Sequence, residues 1–228
     1  MKKAFMVLPA FLFALLITAC GGNPAADDKA LEPADSKPGP SSAVPKGASD
    51  ADEIEDAEST TYIGDIKVTL IGDSVVLGGV DAVKEAVTGI DIRARNDRQL
   101  AGPGLDLLKK EKDEGKLGDI VVLALGTSNL TKDDIENAME VIGPERQVVL
   151  VTAYRGNSDY INKVNNAIEE AAKNYPSNFN IADWYGYIIS HPDIKLASDN
   201  CHLTKSSAKD YAEVIKSGVE AAASRLQN

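Results

Sequence analysis

The 228-residue chain carries 24 Lys and Arg against 35 Asp and Glu, a formal net charge of −11, and two cysteines. No basic stripe is available to neutralise phosphates, which argues against a nucleic-acid partner. Two cysteines cannot build a disulfide framework, so stability must come from an ordinary apolar core.

Residues 1–20, "MKKAFMVLPAFLFALLITAC", place two lysines before sixteen uncharged, mostly apolar residues and a small-residue approach to Cys20. This is the pattern of a secretory signal, and sixteen residues fall short of the roughly 20 that a membrane span needs. The ending Ile17-Thr18-Ala19-Cys20-Gly21 resembles the bacterial lipoprotein signal, which implies a lipid on Cys20 and an extracytoplasmic location at a membrane. Residues 21–60 then hold five of the ten prolines, no aromatic residue, and ten acids against three lysines. Such a stretch cannot bury enough apolar surface to offset chain entropy and is expected to be disordered. As a flexible coil it reaches about 35 Å. A tether and a solubilising tail are both open readings.

From residue 61 onward apolar runs alternate with helical patterns. "DIKVTLIG" (65–72), "GIDIRAR" (89–95), "DIVVLALG" (119–126), "QVVLVTA" (147–153) and "NFNIAD" (178–183) read as strands, the central runs apolar enough for burial on both faces. Ile161, Val164, Ile168, Ala171 and Tyr175 recur at spacings 3, 4, 3, 4 and predict one helix face. The last helix is expected to be capped at Thr204 and to bury Tyr211, Ile215, Val219 and Ala222. Five strands alternating with helices imply an α/β, doubly wound parallel sheet. Ligands of such sheets sit beyond the carboxyl ends of the strands. Residues proposed to act together must therefore lie there.

Three stretches meet that condition. Gly72-Asp73-Ser74 follows the first strand, and Gly126-Thr127-Ser128-Asn129 follows the third. The third stretch, "SDNCHLT", precedes the last helix and brings Asp199 within three residues of His202. A serine hydroxyl needs a base to accept its proton, and a histidine serves best when a carboxylate orients its other nitrogen. Ser74, His202 and Asp199 supply these parts. Taken singly, each motif is a common turn; together at one sheet end they favour catalysis. Cys201 beside His202 reads as a small buried residue. A metal site of Asp199, Cys201 and His202 would crowd three ligands into four residues with no fourth elsewhere, and the reading invokes no cofactor. His191 before Pro192 reads as an exposed loop residue, and Trp184 and Tyr185 as packing or a sugar platform.

These blocks resemble the SGNH/GDSL hydrolases, and more closely the extracytoplasmic domains of bacterial cell-wall polysaccharide O-acetyltransferases. The likeness is carried by "IGDSVVLG", Arg98-Gln99, "LALGTSN", Asn165, Asp183-Trp184 and "DNCHLT", and covers most of residues 65–217. It implies a flavodoxin-like sheet, an acyl-enzyme on Ser74, and acyl groups on an envelope glycan. It also implies that Gly126, Ser128, Asn129 and Arg98 line the oxyanion and substrate site. Two departures stand out: Ser128 occupies the place of the family's oxyanion asparagine, and "RARNDRQ" lacks the second-block glycine. The resulting expectation is a lipid-anchored serine esterase or O-acyltransferase acting on cell-envelope polysaccharide. Simple deacylation and work alongside a separate membrane acyltransferase both stay open. The alternative is a degenerate head that binds glycan or protein without turnover.

Overall fold

The computed structural model describes residues 53–55, 61, 62, 65–156 and 158–227. The expected signal segment, the expected lipidation site Cys20 and most of the expected tether lie outside the described residues. The exception is Glu53–Glu55, which composition assigns to the tether and which forms a short strand, β1. Thr61–Tyr62 forms β2.

Five strands follow, close to the spans that the apolar runs predict. They are β3 (Ile66–Gly72), β4 (Asp91–Arg95), β5 (Ile120–Ala124), β6 (Gln147–Val151) and β7 (Phe179–Ala182). These five pair in parallel in the order β4-β3-β5-β6-β7, while β1 runs antiparallel along β4 and β2 antiparallel to the start of β3. The chain steps from β3 to β4 on one side and then to β5 on the other. The crevice where strand order reverses therefore opens at the end of β3, as the doubly wound reading requires.

Strand alternation builds two cores. Val68 and Leu70 of β3, Val122 of β5 and Val149 of β6 join one apolar cluster, whereas Ile71, Val121, Leu123, Val148 and Leu150 join the other. Successive side chains on a strand point to opposite faces, so continuous apolar runs are what a sheet covered on both sides demands. The first face is covered by α1 (Ser74–Leu77), α2 (Val80–Ala86), α6 (Trp184–Ser190) and α7 (Ser207–Leu226). The second is covered by α3 (Leu105–Asp113), α4 (Lys132–Ile142) and α5 (Asp159–Asn174). On α5, Ile161, Val164, Ile168 and Ala171 are buried, with Tyr175 half-buried just past its end.

α7 presents the expected stripe: Tyr211, Ile215, Val219 and Ala222 are all buried. Its regular turns start at Ser207, two residues later than the sequence suggests. Thr204 nonetheless caps it, since Thr204 Oγ1 accepts from the Ser207 N–H and Ser207 Oγ accepts from the Thr204 N–H at 2.9 Å. Gly218 lets the helix lie against the sheet, because a Cβ there would sit 2.7 Å from Val149 Cγ1 and 3.1 Å from Ala182 Cβ.

A second glycine governs the site. A Cβ on Gly72, the last residue of β3, would lie 2.3 Å from Val76 Cγ2, since the chain folds straight back into α1. Gly72→Ala is therefore expected to lower stability by about 1–3 kcal/mol through overpacking. Urea unfolding checks this: an unchanged midpoint would show that α1 is free to move away.

Candidate active site

The position of Ser74 is set by the end of a ladder. Gly72 pairs with Ala94 and Ala124 of the flanking strands. The Asp73 N–H then donates to the Ala124 carbonyl at 3.1 Å, one step beyond the strand. Asp73 stays extended and caps α1, its Oδ1 accepting from the Val75 N–H at 2.9 Å. Ser74 is thus the first helical residue of α1, half-buried at the mouth of the sheet.

His202 reaches it from the far end of the chain. Leu203 packs against Gly79, where a Cβ would come within 2.9 Å of Leu203 Cδ1, so the residue next to His202 rests just after α1. The preceding turn is closed by the Asn200 N–H donating to the Ala197 carbonyl and the Ala197 N–H donating to the His202 carbonyl, both at 2.9 Å. Asn200 has φ +54°, a left-handed conformation that asparagine tolerates better than most residues. Asp199 Oδ1 accepts from the N–H groups of Cys201 and His202, each at 3.0 Å, which locks its carboxylate in place.

Two side-chain hydrogen bonds complete the arrangement. His202 Nδ1 lies 2.5 Å from Asp199 Oδ2, and His202 Nε2 lies 2.9 Å from Ser74 Oγ, across 128 residues of sequence. The hydrogen bond from His202 is the main cause that holds the Asp199 carboxyl down at about 2, below its ordinary value of 3.8. An ionised Asp199 can only accept, so Nδ1 carries the proton and Nε2 is left to accept from Ser74. Ser74, His202 and Asp199 are therefore in one chain of hydrogen bonds, with the polarity a serine nucleophile needs. His202 and Asp199 keep 45% and 48% of their side-chain surface exposed, so the site is open to a large substrate.

The loop after β5 is tied to Asp73, the residue before this serine. Gly126 is buried, and a Cβ there would come within 2.9 Å of Ala153 Cβ, so the glycine lets β5 and β6 converge. Ser128 is half-buried and Asn129 exposed. The Ser128 carbonyl is held by the Tyr160 hydroxyl, and Thr127 Oγ1 donates to Asp73 Oδ2. Arg98 departs from the substrate-site expectation. Its buried guanidinium donates to the Arg93 carbonyl at 2.6 Å and to Glu53 Oε1 at 2.8 Å, fastening β1 to β4. A long side chain can turn away from the crevice its backbone borders, and here a carboxylate from the edge strand draws it.

The remaining motif residues serve the scaffold around the crevice. Asn165 clamps the loop after β6, accepting from the Ala153 N–H at 2.9 Å and donating to the Ala153 carbonyl at 3.0 Å. Asp183 caps α6 through the Gly186 N–H and accepts from Thr152 Oγ1, both at 2.9 Å. Trp184 is 2% exposed and packs edge-on to Tyr211, whereas the Tyr154 and Tyr185 rings, 6.0 Å apart, are half-exposed. Cys201 is buried, and burial pushes its thiol up to about 11. His191 is exposed and stacks on Tyr187. Among the described residues no cluster of His, Cys, Asp or Glu is arranged to hold a metal ion. The parts that sequence reasoning missed are Asp73, Thr127 and Tyr160. Asp73 and Thr127 sit inside the recognised blocks, but only the pairing of β3 with β5 reveals that they touch.

A flavodoxin-like sheet with Ser74 after its first strand and the Asp199–His202 turn before its last helix defines the SGNH/GDSL hydrolase class. No family model matches the chain. Over 152 residues, 66% of this chain, the sequence is 30% identical to the O-acetyltransferase OatA of Staphylococcus aureus, and the match spans 24% of that protein. A solved structure, the C-terminal catalytic domain of Streptococcus pneumoniae peptidoglycan O-acetyltransferase A with a methylsulfonyl adduct, superposes with a TM-score of 0.63 at 26% identity. It covers 69% of this chain and 94% of that domain. A lipase/acylhydrolase from Enterococcus faecalis shares the fold, with a TM-score of 0.56 at 20% identity over 68% of this chain and 95% of its own. The chain is homologous to the C-terminal SGNH domain of the OatA O-acetyltransferases. It spans about a quarter of the length of the curated relatives it matches.

The Asp199–His202 bond carries a pH signature. Because the folded carboxyl is held below its ordinary value, the contact adds stability above the unfolded carboxyl's pKa, near 4, and loses it as pH falls towards about 2. From about pH 4 downwards the stability difference between the wild type and Asp199→Asn is expected to shrink. Denaturant unfolding at a series of pH values measures this; a difference that grows on acidification would contradict the assignment.

Proposed function

We propose that the chain is an extracytoplasmic serine enzyme that passes an acyl group, most simply acetyl, through an ester on Ser74. The observation that carries the reading is the hydrogen-bonded series Ser74–His202–Asp199 at the crevice of the sheet. Ser74 Oγ attacks the ester carbonyl of the donor while His202 Nε2 takes its proton, and Asp199 stabilises the resulting imidazolium. The negative charge on the carbonyl oxygen is met by N–H donors of the Ser74 turn and the Gly126–Asn129 loop. His202 then returns the proton to the departing alkoxide, leaving the acyl-enzyme. In the second half a hydroxyl, deprotonated by the same imidazole, releases the acyl group and frees Ser74.

The acceptor distinguishes transfer from hydrolysis. A sugar hydroxyl gives an O-acylated glycan, and water gives deacylation. The named activities of the relatives and the open position of His202 and Asp199 support a polymeric cell-wall polysaccharide as acceptor or substrate. The lipoprotein-like ending at Cys20 supports attachment to a membrane, with residues 21–60 as the spacer. A membrane acyltransferase supplying the donor fits the transfer arm; none is needed for deacylation. Ser128, standing where an oxyanion asparagine is expected, favours a second reading: a head that binds glycan or a partner protein without turnover.

Two experiments separate these. With a small acetyl ester, the wild type is expected to turn over and Ser74→Ala to fall by about 10⁶-fold, to background. Equal background rates in both chains would favour the binding head. Mass spectrometry of cell-wall fragments from a deletion strain then reads the direction. Loss of acetyl groups indicates a transferase and gain an esterase, whereas unchanged acetylation would contradict both.

A further inference from the structure

The carboxyl group of Asp73 is only 1% exposed, adjacent to the nucleophile, and takes no part in the Ser74–His202–Asp199 series. Burying a carboxylate is costly unless several donors meet it, and burial does push this one above its ordinary value. Capping a four-residue helix does not require that burden, since Ser, Thr or Asn caps as well. What a second carboxylate oxygen adds is a reach across the sheet. Oδ1 takes the Val75 N–H at 2.9 Å, and Oδ2 takes the Thr127 hydroxyl. The same residue's own N–H is bonded to Ala124, where the β5 loop departs. From the opposite side Tyr160 donates to the Ser128 carbonyl. The stretch from Ala124 to Ser128 is thus held at both ends, one end on the residue that precedes Ser74.

We infer that Asp73 and Thr127 form a positioning pair that sets the distance between Ser74 and the loop receiving the developing oxyanion. The inference rests on the acyl-enzyme reading above. It assigns to the pair an effect on turnover and none on substrate binding, because the loop's N–H groups matter most when charge develops on the carbonyl oxygen. A misplacement of about 1 Å in such a loop costs on the order of 10²-fold.

The test uses the full chain and a small acetyl ester, with Thr127→Val, Thr127→Ser, Asp73→Asn and the double variant Asp73→Asn/Thr127→Val. Thr127→Val keeps the side-chain volume and removes the donor; Thr127→Ser keeps the donor. The expected result is a fall in kcat of about 10²-fold for Thr127→Val with KM within about twofold of wild type. Thr127→Ser should retain most of the activity, and the double variant should be no slower than Asp73→Asn alone. Thermal unfolding of each variant verifies that the assay temperature lies below its transition. Wild-type kcat in Thr127→Val, an equal loss in Thr127→Ser, or additive losses in the double variant would each overturn the inference. Should Asp73→Asn fail to fold, the two Thr127 variants decide alone. A wild type without turnover overturns the acyl-enzyme reading and this inference together, whereas an active wild type with an equally active Thr127→Val overturns this inference only.

Discussion

One hydrogen bond, 2.9 Å between Ser74 Oγ and His202 Nε2, organises the account, because it joins the first turn of the sheet to the last loop of the chain. Neither side chain controls it locally. The histidine arrives where it does because α7 seats its apolar stripe on the sheet, with Gly218 permitting close approach to Val149 and Ala182. Leu203 then rests on the bare backbone of Gly79, immediately beyond the short helix that Ser74 begins. The Ser74–His202 geometry is in this sense a by-product of packing. Apolar burial supplies the free energy, and two glycines remove the atoms that would hold the surfaces apart.

The crevice is braced by polar contacts of unequal exposure. Asp199 and His202 sit half in solvent, where their mutual attraction is weakened by water but substrate can enter. Asp73, by contrast, is sealed within the protein, where every hydrogen bond to it counts for more. A parallel tie recurs between the next two strands, β6 and β7, where Asp183 caps α6 and receives the Thr152 hydroxyl. In both places an acid that begins a helix also receives a threonine from a neighbouring strand's loop, so the loops after β3 and β5, and those after β6 and β7, are linked in pairs. This gives a rigid rim to an otherwise open site.

Much of this was legible in the amino-acid order. Continuous runs such as "VTLIG" and "VVLAL" are what strands covered on both faces require, and the 3, 4, 3, 4 spacing of α5 admits one buried side. The Gly-Asp-Ser turn and the Asp199-to-His202 spacing were readable because each is local. What escaped depends on register between strands. Arg98 looks from its position like a crevice residue, yet it binds Glu53 on a strand too short to recognise from composition. Asp91 and Arg93 alternate with Ile92 as solvent-facing residues would, but they are buried with Glu111 in an ion-paired group between β4 and α3. Thr127 and Tyr160 were silent for the same reason. Their partners lie 54 and 32 residues away, and nothing in their neighbours announces it.

The central claim concerns a proton on one ring nitrogen, and ¹⁵N NMR of the full chain with labelled histidine addresses it directly. At neutral pH the account predicts that His202 carries its proton on Nδ1, in a strongly deshielded hydrogen bond that Asp199→Asn abolishes, with Nε2 bare and sensitive to Ser74→Ala. A His202 protonated on Nε2, or a solvent-averaged mixture of tautomers unmoved by either substitution, would contradict it.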